Sequence, residues 1–324
     1  MATSVVIGQR GGQTMKRSVV LLIAILVVPL LAGTAQATFP GSNGRIAFYD
    51  FFAVFGPPGS VGQIFSMEPD GSDRTRLTTD PRRDKMDPAW SADGAKIVFA
   101  ANAPIDPGRG RVVVMDGDGS NRQVIAAFDR DRYVLEPAWS PDGTQVAFCA
   151  TRGGNRAGIW VVEVDGSNLT RISSSTRNEC FPDWSPDGSR IAFTKFTRRG
   201  SALATMTPDG SDRERLVTGG NNFWPSWSPD GAMITFSRFV PSSGSQYDVF
   251  LVDVATGSLT AITDSPGRDE YTPCFSPDGL QIAYSRANGG VAGDIWIVDV
   301  DGSNRTKVTD TPARQEFKLS WQAI

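Results

Sequence analysis

The chain has 324 residues, with 34 Gly, 21 Pro and no His. That length suits one large domain or two ordinary ones, and the Gly and Pro content suits many short strands joined by turns. A formal charge of −3 argues against nucleic acid or an anionic membrane surface as partner, and the absence of His removes the commonest general base and transition-metal ligand.

The N-terminal 37 residues read as a secretory signal peptide. Arg10, Lys16 and Arg17 make a basic start, Val19 to Leu31 is apolar apart from Pro29, and Ala35-Gln36-Ala37 offers a small-residue cleavage site. The mature chain is then expected to begin at Thr38. An uncleaved anchor is the alternative, but the apolar run falls short of the ~20 residues that span a bilayer. No Cys lies near the cleavage site, which argues against a lipid anchor, and Met15 is an alternative start. Losing Arg10, Lys16 and Arg17 takes the formal charge from −3 to −6.

From Pro40 onward one unit repeats. "WSPDG" stands at Trp139, Trp184 and Trp227, "WSADG" at Trp90 and "FSPDG" at Phe275. The turn Asn or Asp falls at Asn43, Asp93, Asp142, Asp187, Asp230 and Asp278, in steps of 50, 49, 45, 43 and 48 residues. Between these lies a second turn, such as "MEPDGSDRTRLT" from Met67 or "VDVDGSNRTKVT" from Val298. Asp-Gly between Val-, Ile- and Phe-rich runs predicts a hairpin. In the third unit the predicted strands are Glu136–Ser140, Gln145–Ala150, Gly158–Val164 and Leu169–Ser173. Four antiparallel strands per ~45 residues make a β-propeller blade.

The second strand is apolar at consecutive positions ("IAF", "IVF", "VAF"), so both sheet faces are covered, as they are when blades stack around a ring. Trp90, Trp139, Trp184, Trp227, Phe275 and Trp321 are expected to be structural plates between blades, and the Asp of each turn to be architectural. The first unit lacks the first strand and its Trp. The last, "EFKLSWQAI" from Glu316, supplies only these. The expected fold is therefore all-β: a six-bladed propeller over 38–324, closed by the C-terminal strand joining the N-terminal blade.

"PAWSPDGTQVAF" followed by "GIWVVEVDGSNLTRIS" resembles the TolB-type propeller repeat, a relative of the WD repeat. The resemblance runs from about Phe39 to Trp321 and implies the fold. TolB's N-terminal domain has no counterpart in the sequence, so its role is not carried over. Prolyl-oligopeptidase-type hydrolases share the repeat but need a nucleophile elbow and a His.

Chemistry is expected on the face opposite the turns, where loops differ in length and charge. Asp87, Glu136, Glu179, Glu270 and Glu316 begin first strands beside the channel and form the candidate partner or ligand site. Converging acids suit Ca²⁺; the plainer reading pairs them with neighbours such as Lys85, Arg132, Arg177 and Arg268. "DGDGSN" from Asp116 is similar to a Ca²⁺ loop but lacks the distal Glu. Phe51, Phe52, Phe55, Phe223 and Trp224 are either partner anchors or ring packing. Cys149 and Cys180 end on one face, where a disulfide is geometrically allowed; a core role is the alternative.

The functional expectation is a monomeric, extracytoplasmic binding scaffold for a protein or cell-envelope ligand, with no catalytic residue, cofactor or membrane insertion. The alternative is a propeller enzyme, a metal-dependent lactonase or other hydrolase, or a lyase, using the channel-mouth carboxylates.

Overall fold

The computed structural model describes residues 39–52, 61–103, 109–128, 132–152, 156–174, 178–241, 246–288, 291–311 and 314–324. The predicted signal segment, Phe55 and Arg177 lie outside them. Among the described residues no helix is long and apolar enough to cross a membrane.

Six four-stranded antiparallel sheets form the blades. β1 (Asn43–Phe52), β2 (Gln63–Met67) and β3 (Thr75–Arg76) belong to blade 1. Blade 2 runs through β4 (Asp84–Trp90), β5 (Lys96–Asn102), β6 (Arg111–Asp116) and β7 (Gln123–Ala127). Blade 3 has β8 (Arg132–Trp139), β9 (Gln145–Arg152), β10 (Arg156–Glu163) and β11 (Thr170–Arg171). Blade 4 has β12 (Glu179–Trp184), β13 (Ile191–Thr197), β14 (Gly200–Met206) and β15 (Glu214–Val217). Blade 5 has β16 (Asn222–Trp227), β17 (Met233–Val240), β18 (Gln246–Asp253) and β19 (Leu259–Ala261). Blade 6 has β20 (Arg268–Phe275), β21 (Gln281–Asn288), β22 (Val291–Asp299) and β23 (Thr306–Lys307). The last strand, β24 (Arg314–Ala323), returns to blade 1 and pairs with β1, setting Ile46 opposite Trp321. The expected ring closure is thus present.

The first strand of each blade is innermost, and the six inner strands touch in sequence around the axis. The Trp plates fill seams. Trp227 packs against Ala192, Leu203 and Val217 of blade 4, Phe275 against Val249, Leu251 and Ile262 of blade 5, and Trp321 against Cys274 and Ile295 of blade 6. Each turn is self-satisfied. Ser140 Oγ donates to Asp142 Oδ1 at 2.6 Å, Asp142 Oδ1 accepts the Thr144 N–H at 3.0 Å, and the Ser140 contact holds the Asp142 carboxyl below its ordinary range. The same 2.6 Å Ser–Asp bond recurs at Asp93, Asp187, Asp230 and Asp278. The second turns brace the preceding blade. At Gly210, with φ of 82°, a Cβ would stand 2.1 Å from the Ile172 carbonyl oxygen. Only glycine fits that approach.

Candidate functional site at the channel and loop face

Counted back from its Trp or Phe, each inner strand breaks register at the same place. The residue three positions before it is Asp87, Glu136, Phe181, Trp224, Thr272 or Lys318, and all six have φ between 55° and 64°. Two residues there oppose one on the neighbouring strand, as between Met86 and Ala89 or between Leu135 and Ala138. This is a β-bulge, which re-aims the extra side chain. In five blades Pro follows, and its missing N–H costs nothing where the ladder is already interrupted. A left-handed non-glycine residue costs on the order of 1–3 kcal/mol, so the surrounding ring must hold each one in place.

Three bulge residues meet near the axis. Lys318 Nζ lies 2.9 Å from Glu136 Oε1 and 3.2 Å from Asp87 Oδ1. Asp87 Oδ2 accepts the Glu136 backbone N–H at 2.9 Å. Asp87, Glu136 and Lys318 are 1%, 0% and 2% exposed. Burial pushes the Glu136 carboxyl well up and that of Asp87 up, against the pull of Lys318.

The other three candidate acids sit five residues before the plate, in the seams. Glu179 Oε2 is 2.7 Å from Arg213 Nη1, Glu316 is bound by Arg74 and by the Thr309 hydroxyl, and Glu270 Oε1 is 3.6 Å from Arg286 Nε and 3.9 Å from Arg305 Nη1. Arg74, Arg213 and Arg305 all close the second turn of the same repeat. In blades 3 and 5 the acid is replaced by Val134 or Asn222, and Leu169 or Leu259 replaces the Arg. These five acids therefore occupy two levels, and their charged partners are Lys318, the turn arginines and, for Glu270, also Arg286 of β21. Among the described residues no three His, Cys, Asp or Glu side chains come together as a metal-ligand set.

Lys318 was missed by sequence reasoning. Alignment on Trp321 puts it at the position of Asp87 and Glu136, so the signal was available. Asp183, one residue before its Trp, is also fully buried, and its Oδ2 accepts the Trp227 N–H at 2.8 Å. Cys149 and Cys180 are bonded, with Sγ atoms 2.06 Å apart and Cα atoms 5.2 Å apart, and join blades 3 and 4. Cys274 is a buried free thiol.

Opposite the triad two of the three remaining bulge residues, Phe181 and Trp224, are aromatic and extend into a chain of rings, while the third is Thr272. Phe181 and Trp224 meet edge to face at 5.6 Å, Trp224 meets Tyr271 at 5.5 Å, and Phe223 meets Tyr247 at 5.9 Å. Phe51 stacks on Tyr49 at 5.1 Å and on Phe317 at 6.1 Å. Trp224 is buried, whereas Phe51, Phe223 and Tyr247 are half-buried. The two faces also differ in charge. Exposed carboxylates crowd the turn face, in both turns of the repeat (Asp70, Asp93, Asp142, Asp187, Asp230, Asp301). The loop face exposes Arg82, Arg109, Arg111, Arg198, Arg199 and Arg268, alongside the exposed carboxylates Asp264 and Asp310.

The repeat that builds this ring matches the TolB beta propeller domain over residues 60–323. The chain belongs to the TolB β-propeller family. Among solved structures, TolB from Acinetobacter baumannii superposes with a TM-score of 0.74 at 22% identity, covering 88% of this chain and 68% of that one. A nidogen/laminin complex gives 0.66 at 11% identity, covering 85% and 98%. Oligogalacturonate lyase from Vibrio parahaemolyticus gives 0.54 at 16% identity, covering 74% and 72%. At these identities the likeness is one of fold. No curated protein sequence matches the chain. A TolB-type propeller is a fold suited to binding.

Proposed function

We propose that this TolB-type propeller is an exported binding scaffold and that its protein or cell-envelope partner sits on the loop face. The carrying observation is the asymmetry of the two faces. The turn face repeats one Ser–Asp bond in five blades. The loop face alone carries the half-buried rings Phe51, Phe223 and Tyr247. Near-symmetric turns serve folding; one asymmetric site needs side chains that differ between blades. The buried Cys149–Cys180 disulfide suits an oxidising compartment, as does the basic, apolar, small-residue pattern of the first 37 residues.

Photo-crosslinking residues introduced at Tyr247 and at Asp230 in the native host test this reading. The Tyr247 probe should capture one discrete partner from the envelope or medium, and the Asp230 probe none. Capture only at Asp230 puts the functional face on the wrong side. The enzyme reading takes its support from the lyase-like fold and from the channel acids. Turnover of a lactone or uronate substrate by the purified chain, with and without added calcium, would establish it in place of the scaffold.

A further inference from the structure

Blade 4 lacks a ring that four other blades carry. At one place in each blade the aromatic residue of the second strand stands directly opposite a residue of the third. Phe48 faces Phe65, Phe148 faces Trp160, Phe236 faces Phe250 and Tyr284 faces Trp296. Blade 2 sets Val113 opposite Phe99, and blade 4 sets Ala204 opposite Phe193. The smallest side chain at this place thus belongs to blade 4. A cavity of about 230 Å³ lies there, and Glu179, Phe193, Ala204, Arg213 and Arg215 are among its walls. Ala204 and Arg215 are cross-strand partners, and Arg215 is exposed, so the cavity opens outward past the Arg215 side chain.

The walls are built as they are around a ring elsewhere. In blade 1 the turn arginine Arg74 binds Glu316 and covers two rings, its guanidinium carbon 5.0 Å from the centre of Phe48 and 4.9 Å from that of Phe65. In blade 4 Arg213 holds Glu179 at 2.7 Å and lies 5.5 Å from the Phe193 ring centre, with only the Ala204 methyl on the neighbouring strand. A guanidinium over a ring face is an attractive arrangement, and here it has room for a second ring. The Arg213 Nη2 also donates to the Ile172 carbonyl oxygen of blade 3 at 3.2 Å, which holds the guanidinium in place. Glu179 Oε2 takes the Arg213 bond, whereas Glu179 Oε1 is buried and, among the described residues, accepts no hydrogen bond. A buried carboxylate oxygen in that state calls for a donor.

We propose that this cavity is the anchor pocket for a tryptophan side chain of a protein partner. The inference deepens the scaffold reading and rests on it for the partner itself. The ring is argued from the repeat, because four sister blades fill the same space with Phe65, Trp160, Phe250 or Trp296. Of these two residue types only Trp carries a donor, and its indole N–H suits Glu179 Oε1. The volume fits one side chain. A void of about 150 Å³ admits benzene, whereas a drug-sized ligand needs about 300 Å³ or more. A single aromatic anchor in a fitted pocket is a common source of binding energy at protein interfaces. Glu179 opens β12 at its loop-face end, the end on which the partner is placed.

Titration calorimetry of the purified full chain with N-acetyl-tryptophanamide is the test. Binding is expected with a Kd of about 1 mM or lower, the range open to one small group. The analogue methylated on the indole nitrogen should bind about tenfold more weakly, and N-acetyl-leucinamide should not bind measurably. Ala204→Phe restores the sister-blade ring inside the cavity. It should lose binding and keep or raise the melting temperature, as cavity filling does. Ala204→Val, with the side chain that blade 2 carries, is the milder form and should weaken binding about fivefold, which keeps the test decisive if the Phe variant does not fold. The proposal is overturned if the tryptophan amide does not bind, if the folded Ala204 variants bind as the parent does, or if the leucine amide binds as tightly. Free tryptophan binding far more tightly than the blocked amide would also overturn it and assign the cavity to a free amino acid. Absence of amide binding with a partner still crosslinked at Tyr247 removes the anchor and leaves the scaffold. Amide binding that Ala204→Phe abolishes, with no partner crosslinked at Tyr247, keeps the pocket and removes the loop-face scaffold.

Discussion

Asp183 is a carboxylate in the wrong solvent. It is fully buried, its Oδ2 is held by the Trp227 N–H at 2.8 Å, and burial pushes its pKa well above the ordinary 3.8. A carboxyl whose folded pKa is raised holds its proton more tightly folded than unfolded. Its contribution to stability is full below pH ~4 and is lost as pH rises from there through the folded value. Asp183→Asn should therefore remove a downward slope of stability with pH and leave the variant the more stable at neutrality. Urea midpoints of both proteins at several pH values check this; parallel curves would mean that Asp183 does not titrate as its burial implies. Lys318 poses the opposite case. Lys318→Met leaves Asp87 and Glu136 buried without their cation and should cost about 3–5 kcal/mol in denaturant unfolding. Adding Asp87→Asn and Glu136→Gln should recover most of that loss, since a fully neutral triad leaves no charge uncompensated.

The inner strand is the element in which sequence and structure diverge most. Its Trp and its Ser-Pro-Asp-Gly turn were legible because both are local: a plate of fixed size and a turn that bonds to itself. The split blade was legible too, from the missing Trp in the first unit and the spare one at Trp321. The fate of the acids was not. A strand alternates faces every residue, but the bulge inserts one residue and ends that count. Glu136 and Glu179 look equivalent near the start of their strands, yet they lie three and five residues before their Trp and end up in different environments. Acids on an exposed channel mouth, as the sequence predicts, would accept neutral substitution with a nearly unchanged melting temperature. Burial reverses that expectation. Glu179→Gln weakens the 2.7 Å pair with Arg213 inside a seam and should cost about 1–3 kcal/mol, measurable as a lower melting temperature.

At the scale of the whole molecule, stability depends on one strand that arrives last. β24 contributes Trp321 to the seam with blade 6 and Lys318 to the axial triad, and it covers the edge of β1. Deleting Phe317–Ile324 removes all three at once and bares a strand edge. The truncated chain should lose its cooperative melting transition and aggregate; a melting temperature equal to that of the full chain would contradict the closed ring.

The closure also brings the two ends of the sheet together, for the Ser42 N–H donates to the Ile324 carbonyl oxygen at 2.9 Å and the Ile324 N–H donates back to the Ser42 carbonyl oxygen at 3.1 Å. Continuity of the backbone at that seam is thus a matter of genetic order and not of architecture. A circular permutant that links Ile324 to Phe39 through a short glycine-rich bridge and opens the chain between Gly143 and Thr144 would keep every blade. The Gly143 position is uncrowded: a Cβ added there would meet no atom within 4 Å. In that arrangement the split blade becomes an uninterrupted one, and blade 3 takes over as the fastener. The permutant should fold to the same ring, with its far-ultraviolet circular dichroism unchanged, and its unfolding should become sensitive to mutations around Trp139 in place of those around Trp321.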